Sequence, residues 1–162
     1  MIILGLDPGT ATTGYGLIQL NRSKIRGLCY GIIETEAHLP MSKRLNIIYN
    51  DLGEIIQKFK PDEVAIEKLF FGRNTTTAIT VGQARGVLLL QAERYQLNIG
   101  EYTPIQVKQA LVGYGRAEKK QIQYMVTHLL SLVETPKPDD AADALAVAIC
   151  HAHFMKGYQR SI

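Results

Sequence analysis

Cysteine is scarce: the 162 residues hold two, Cys29 and Cys150. They offer neither a disulfide framework nor a paired metal-ligand spacing, so a reducing, cytoplasmic setting is expected. Long apolar runs are missing as well. Val87-Leu88-Leu89-Leu90 is one of the short runs present, all far below the roughly 20 apolar residues of a membrane helix, and no membrane contact is expected. Met1-Ile2-Ile3-Leu4-Gly5 lacks the basic stretch of a secretion signal and reads as a core strand. No Gly-Lys-Ser or Gly-Lys-Thr occurs, hence no Walker A loop, and there is no repeat, linker or low-complexity tract. Asn74-Thr75-Thr76 has the form of a glycosylation acceptor, which in a cytoplasmic chain reads as a chance match.

What is present suits one core. The length fits a single domain, and a hydrophobic content of 46% excludes a disordered chain. The expectation is one domain over residues 1–156 and a short C-terminal tail, 157–162. Net charge is only +3, but its distribution is uneven. Lys68 to Val133 holds eight basic residues (Lys68, Arg73, Arg85, Arg94, Lys108, Arg116, Lys119, Lys120) against three acids, Glu93, Glu101 and Glu118. A basic middle of this kind can meet a phosphate backbone, a solvated helix surface being the plain alternative.

Residues 2–7 read as a buried strand ending in Asp7, followed by the turn Pro8-Gly9. Two further β-rich runs, 14–20 and 24–35, are split by Asn21-Arg22-Ser23 and predict antiparallel pairing. Leu45, Ile48, Leu52, Ile55 and Phe59 form one apolar helix face, stopped by Pro61. Val64-Ala65-Ile66-Glu67 is a short strand that again ends in an acid. A loop then leads into a long helix, 75–95, whose Ala78, Gly82 and Gly86 make a stripe open to another backbone, from its own sheet or from a partner subunit. A strand at 99–102 and helices at 104–112, 118–132 and from Asp139 or Asp140 to 155 complete the chain. Three antiparallel strands followed by αβ alternation predict an α/β fold with a mixed sheet flanked by helices.

Four carboxylates stand out. Asp7 and Glu67 end two strands, and Asp140 and Asp143 share a face at the start of the last helix. If the two strands are neighbours, all four converge. Clustered carboxylates repel unless a cation neutralises them. Oxygen donors favour Mg²⁺ or Mn²⁺, and two such ions can activate water and stabilise the leaving oxygen of a phosphodiester. Each acid also has a plainer role open to it: a turn residue at Asp7, a strand-end surface residue at Glu67, a helix cap at Asp139 or Asp140. Asp143 is harder to place so, because Ala141-Ala142-Asp143-Ala144-Leu145-Ala146 is a small, apolar setting for an acid. The histidines are less informative. His151 and His153 are two apart on a helix and make a poor metal pair.

The segments resemble a known family, in order, from about residue 2 to residue 153. Gly5-Leu6-Asp7-Pro8-Gly9 with Thr13-Gly14-Tyr15-Gly16, Ala65-Ile66-Glu67 with Phe70 and Asn74, and Gly82-Gln83-Ala84-Arg85-Gly86 are similar to signatures of the RuvC family of bacterial Holliday-junction resolvases. So are Val107-Lys108-Gln109, Gly113-Tyr114-Gly115, Ala117-Glu118-Lys119 and Asp140-Ala141-Ala142-Asp143-Ala144-Leu145-Ala146. The resemblance implies an RNase H-like fold and a homodimeric endonuclease. Such an enzyme makes paired, symmetric, Mg²⁺-dependent nicks in four-way DNA junctions during recombination and repair, leaving 5′-phosphate and 3′-hydroxyl ends. It makes Asp7, Glu67, Asp140 and Asp143 the catalytic, metal-binding set for two ions, with Mn²⁺ able to substitute. Lys108 and Lys119 become phosphate contacts, and Phe70 an aromatic that stacks on bases opened at the junction. It also implies cooperation with junction-binding and branch-migration proteins of the RuvA and RuvB type. Gly72-Arg73 varies the loop after Phe71, which bears on loop contacts and not on the chemistry.

Other classes stay in view. Asp7-Pro8-Gly9-Thr10 with Gly14 also resembles the phosphate-binding turn of actin-like ATPases and sugar kinases, although those proteins generally need two such domains. A junction-binding module without catalysis would lack one of the four acids. A related nuclease acting on RNA or on transposon intermediates is the third.

Overall fold

A computed structural model describes residues 1–22, 24–69 and 75–159. Five strands form one sheet in the order β3-β2-β1-β4-β5. β1 (Ile2–Asp7), β2 (Thr12–Asn21) and β3 (Lys24–Glu34) are antiparallel neighbours, while β4 (Glu63–Glu67) and β5 (Asn98–Tyr102) run parallel to β1 on its other side. The mixed sheet follows from the connections. β1, β2 and β3 are joined by short turns, whereas β4 and β5 are each reached through a helix, which is what a parallel neighbour requires. Where the sequence reads 24–35 as one β run, the ladder slips. Leu17 faces Cys29 but Ile18 faces Gly27, so Leu28 is an extra, bulged residue, and it is exposed.

Alternation along the strands sorts the two faces. Leu4, Leu6, Leu17, Ile33, Val64 and Ile66 pack under α1 (Met41–Phe59) and α2 (Thr75–Arg94). α1 contributes Ile48, Leu52 and Ile56, with Leu45, Ile55 and Phe59 at the margin. Lys60, in the left-handed conformation, ends that helix before Pro61. Each fully buried Leu or Ile of this layer stabilises the fold by about 1.5–3 kcal/mol.

The other face carries α5 (Asp139–Gln159), with α3 (Pro104–Val112) and α4 (Lys119–Leu129) outside it. α5 is buried almost all round between Ala141 and Ala152, as a helix sandwiched between a sheet and two further helices must be. Its run of alanines and the glycines beneath it let the backbones meet. A Cβ on Gly5 would collide with the Ala144 carbonyl and the Ala148 backbone nitrogen, and one on Gly14 with the Asp140 carbonyl. The α2 stripe behaves differently: a Cβ on Gly82 or Gly86 would meet nothing within 4 Å. Its own sheet is therefore not what that stripe approaches. α5 runs past the expected end at 155, and α4 starts and stops inside the expected 118–132.

Candidate active site

Asp7 and Glu67 arrive side by side because their strands are parallel neighbours that stop together. The β1–β4 register ends at Leu6 opposite Ile66, and the next step sets Asp7 beside Glu67. Their place in the alternation, two on from Gly5 and Ala65, turns both toward α5. Asp7 is also paired with Gly14, the point where the first turn of α5 rests on the sheet. Asp143, one turn further along, completes the approach. Asp7, Glu67 and Asp143 line one cleft of about 260 Å³ together with Lys108 of α3 and Lys119 of α4. Val107 and Ile122 supply apolar wall.

Two helix starts hold the lysines. α3 is capped by Thr103, whose hydroxyl accepts from the Gln106 backbone N–H at 3.2 Å while Gln106 Oε1 accepts from the Thr103 N–H at 2.8 Å. This capping box fixes the turn that leads to Lys108. At α4, Gln121 Oε1 accepts from the Glu118 N–H at 2.9 Å. Lys119 Nζ then lies 3.1 Å from both Asp143 Oδ2 and Asp139 Oδ2.

Crowding carboxylates in a half-apolar cleft has a cost. Burial pushes the Asp7 carboxyl up to about 8, and the charges of Glu67, Asp143 and Asp140 add to it. Burial, then the charge of Asp143, pushes Glu67 up to about 7 against the pull of Lys108. Burial also raises Asp143, although Lys119 opposes it. Burial works against the Lys119 ammonium, but its hydrogen bonds to Asp143 and Asp139 outweigh that and hold its pKa above the ordinary value. Near neutral pH the cluster therefore retains protons that isolated carboxyls would have lost, and it titrates as a group.

Among the described residues, no three His, Cys, Asp or Glu side chains converge tightly enough to hold an ion as they stand. The donor set still fits a hard divalent cation: every group is a carboxylate oxygen, and burial first, then neighbouring carboxylates, disfavour the uncompensated charge of Asp7 and Glu67.

All but one of the site residues singled out in the sequence lie among the described residues. Asp7, Glu67, Asp143, Lys108 and Lys119 meet in the cleft. Asp140 sits at its edge, its backbone on Gly14 and its charge acting on Asp7. Asp139 turns to Lys119 and accepts from Gln123 Nε2 at 2.9 Å. Phe70, with 71–74, lies outside the described residues. His151 is buried, its Nδ1 2.8 Å from the Tyr102 hydroxyl, and His153 Nδ1 is 2.9 Å from the Ala110 carbonyl; both are structural. Sequence reasoning missed Arg85 of α2. Its Nε–H donates to the Glu67 carbonyl at 3.3 Å, and its guanidinium pairs with Glu101. The only signal for it was a basic residue in the Gly82–Gly86 stretch.

Comparison with known proteins agrees on one family. The profile described as "Crossover junction endodeoxyribonuclease RuvC" matches residues 3–151. A protein of that name from Heliobacterium modesticaldum is 60% identical over 155 residues, covering 96% of each chain. One from Clostridioides difficile is 54% identical, covering 96% of this chain and 92% of its own. Among solved structures, Thermus thermophilus RuvC in complex with a Holliday junction substrate superposes with a TM-score of 0.93 at 36% identity, covering 98% of this chain and 96% of that one.

Proposed function

The chain belongs to the RuvC family of crossover junction endodeoxyribonucleases, and on that premise we propose that it resolves four-way DNA junctions through the carboxylate cleft, using Mg²⁺. The family's enzymes are nucleases and in general metal-dependent; the ion's identity, the residues and the assembly are our reading. The observation that carries it is the meeting of Asp7, Glu67 and Asp143 with Lys108 and Lys119 in one cleft.

Asp7, Glu67, Asp140 and Asp143 would hold one or two Mg²⁺ ions, with Mn²⁺ a substitute. Bound there, such ions supply a water of lowered pKa and stabilise the leaving oxygen. The chain's own groups do the rest. Lys108 and Lys119 place the scissile phosphate by charge and hydrogen bond. Lys119 exchanges its contacts with Asp139 and Asp143 for that phosphate. The apolar wall of Val107 and Ile122 keeps bulk water from the carboxylates, which strengthens their interactions. Phe70 is kept as a base-stacking contact, and the products are 5′-phosphate and 3′-hydroxyl ends.

Paired nicks call for two sites, hence a homodimer with a twofold axis matching that of the junction. Support comes from α2, where Ile79 and Leu90 are exposed on the side of the open glycine Gly86. Partners of the RuvA and RuvB type, one nuclease domain over residues 1–156 with a tail 157–162, and a cytoplasmic location complete the proposal. Among the described residues no helix is long and apolar enough to cross a membrane.

A nicking assay on a synthetic four-way junction tests this, with linear duplex as control. Symmetric, Mg²⁺-dependent nicks on the junction alone are expected; binding without nicks under Mg²⁺ or Mn²⁺ overturns the catalytic reading. Lys119→Ala should lower both cleavage and junction affinity, and should reduce the slope of log K against log salt by about 0.9 for one lost phosphate contact. An unchanged slope would remove Lys119 from the phosphate contacts.

A further inference from the structure

Outside the cleft, α3 and α4 form a second groove, of about 500 Å³, lined by Leu111, Val112, Tyr114, Lys120, Tyr124 and Met125. Nothing in the proposed chemistry uses it. Two of its walls are large aromatic side chains that remain exposed, Tyr114 at 48% and Tyr124 at 67%. Tyr124 is held: its ring lies parallel to that of His128, 5° apart in plane with centroids 6.1 Å apart. The two rings are parallel but offset too far for one to cover the other, and Tyr124 remains exposed at the groove. Lys120 lines the same groove as the two tyrosines.

The groove and the cleft are borne by the same two helices, although they share no lining residue. Lys108 of the cleft precedes Leu111 by one helical turn, and Lys119 adjoins Lys120. Arg116 lies in the connecting segment. A strand leaving the scissile phosphate past the start of α4 would pass Lys119 and then Lys120, which lines the groove that holds the two tyrosines. Exposed rings interleaved with cations form a surface for unpaired nucleotides, because every base has a π-face and every nucleotide a phosphate. The lining holds no acid, whereas a basic peptide segment would call for one.

We propose that Tyr114 and Tyr124, with Lys120 beside them in the groove, form a platform on which unpaired bases beside the crossover stack after the junction opens. This rests on the junction-resolving reading. It adds a second stacking surface, on the α3–α4 side of the cleft, and commits it to bases.

The test is junction binding in EDTA, measured by fluorescence anisotropy. The probes are the intact four-way junction and junctions with a single abasic nucleotide at each of the three positions flanking the crossover. Tyr124→Ala and Tyr114→Ala should each weaken binding of the intact junction by roughly 5- to 100-fold, the loss of one stacked base. Tyr124→Phe and Tyr114→Phe should stay close to wild type. At one position the abasic junction should bind wild type as weakly as the Ala variant binds the intact junction, with no further loss when the two are combined. Strictly additive losses at every position overturn the platform. So does unchanged binding by Tyr114→Ala/Tyr124→Ala, which would give the groove to a protein partner. Tyr124→Leu, which keeps an apolar side chain against His128, guards against a folding artefact and should behave like Tyr124→Ala. Failure of the wild type to prefer the intact junction over duplex would instead sink the junction-resolving reading, and the platform with it.

Discussion

Asp7→Asn should abolish nicking, by more than roughly 10³-fold as expected for loss of a metal-holding carboxylate, and should at the same time make the metal-free protein more stable. The second half distinguishes a site short of cations from a structural carboxylate. Asp7 is pushed up to about 8 by burial first and by its acidic neighbours second. A carboxyl whose folded pKa lies above its unfolded value favours the folded state only while protonated. The cost starts above about pH 4, grows until pH passes about 8, and is constant beyond. Asparagine removes it. After allowance for partial exposure and relaxation, the gain at pH 8 is on the order of 1–3 kcal/mol, or a rise in Tm of roughly 2–4 °C per kcal/mol.

The gain should fade toward pH 5, where the wild-type carboxyl is itself protonated. Millimolar Mg²⁺ should stabilise the wild type through linkage and leave the variant unmoved, and junction binding in EDTA should persist. Thermal melts at pH 5 and 8, with and without Mg²⁺, check all of this without an activity measurement. A metal-free variant less stable than wild type at pH 8 would show Asp7 to be a structural group and would sink the assignment.

The parts of the site that were legible in the sequence are those written in short local patterns. Asp7 and Glu67 each end an apolar run, and a strand that stops on an acid sets that acid at the end of the sheet. Asp143 sits among alanines, and α5 turns out to be buried on nearly every side, so its carboxylate had little to face except the cleft. The parts that escaped depend on contacts between distant segments. Arg85 reaches the Glu67 carbonyl across the end of the sheet, 18 residues away, and no spacing rule encodes that. The Leu28 bulge went unread, although Gly27 beside it is a poor strand former of the kind that marks one. Asp140 is preferred to Asp139 on the Asp140-Ala141-Ala142-Asp143 pattern, but the contacts of Asp139 with Lys119 and Gln123 of another helix are encoded in no local pattern.

Gly14→Ala should separate the site from the rest of the fold when compared with Gly5→Ala. Both glycines lie beneath α5, and at both an added Cβ meets backbone that cannot rotate away: the Asp140 carbonyl at Gly14, and the Ala144 carbonyl with the Ala148 nitrogen at Gly5. α5 must lift in either variant, and overpacking of this kind costs about 1–3 kcal/mol, a fall in Tm of roughly 2–4 °C for each. Their positions along the helix differ. Gly14 lies under the first turn, which carries Asp140 and leads to Asp143, and it is the strand partner of Asp7. Lifting α5 there moves carboxylates apart at the site, and a displacement of about 1 Å can cost on the order of 10²-fold in rate. Gly5 lies further along, under Ala144 and Ala148, where the helix carries no cleft acid beyond Asp143. Gly14→Ala should therefore lose nicking by roughly 10²-fold and lose Mg²⁺-induced stabilisation, while Gly5→Ala, with a similar fall in Tm, retains more of both. Equal losses of nicking at equal loss of stability would mean that α5 moves as one rigid body, and that its seat on β2 has no special part in gathering the carboxylates.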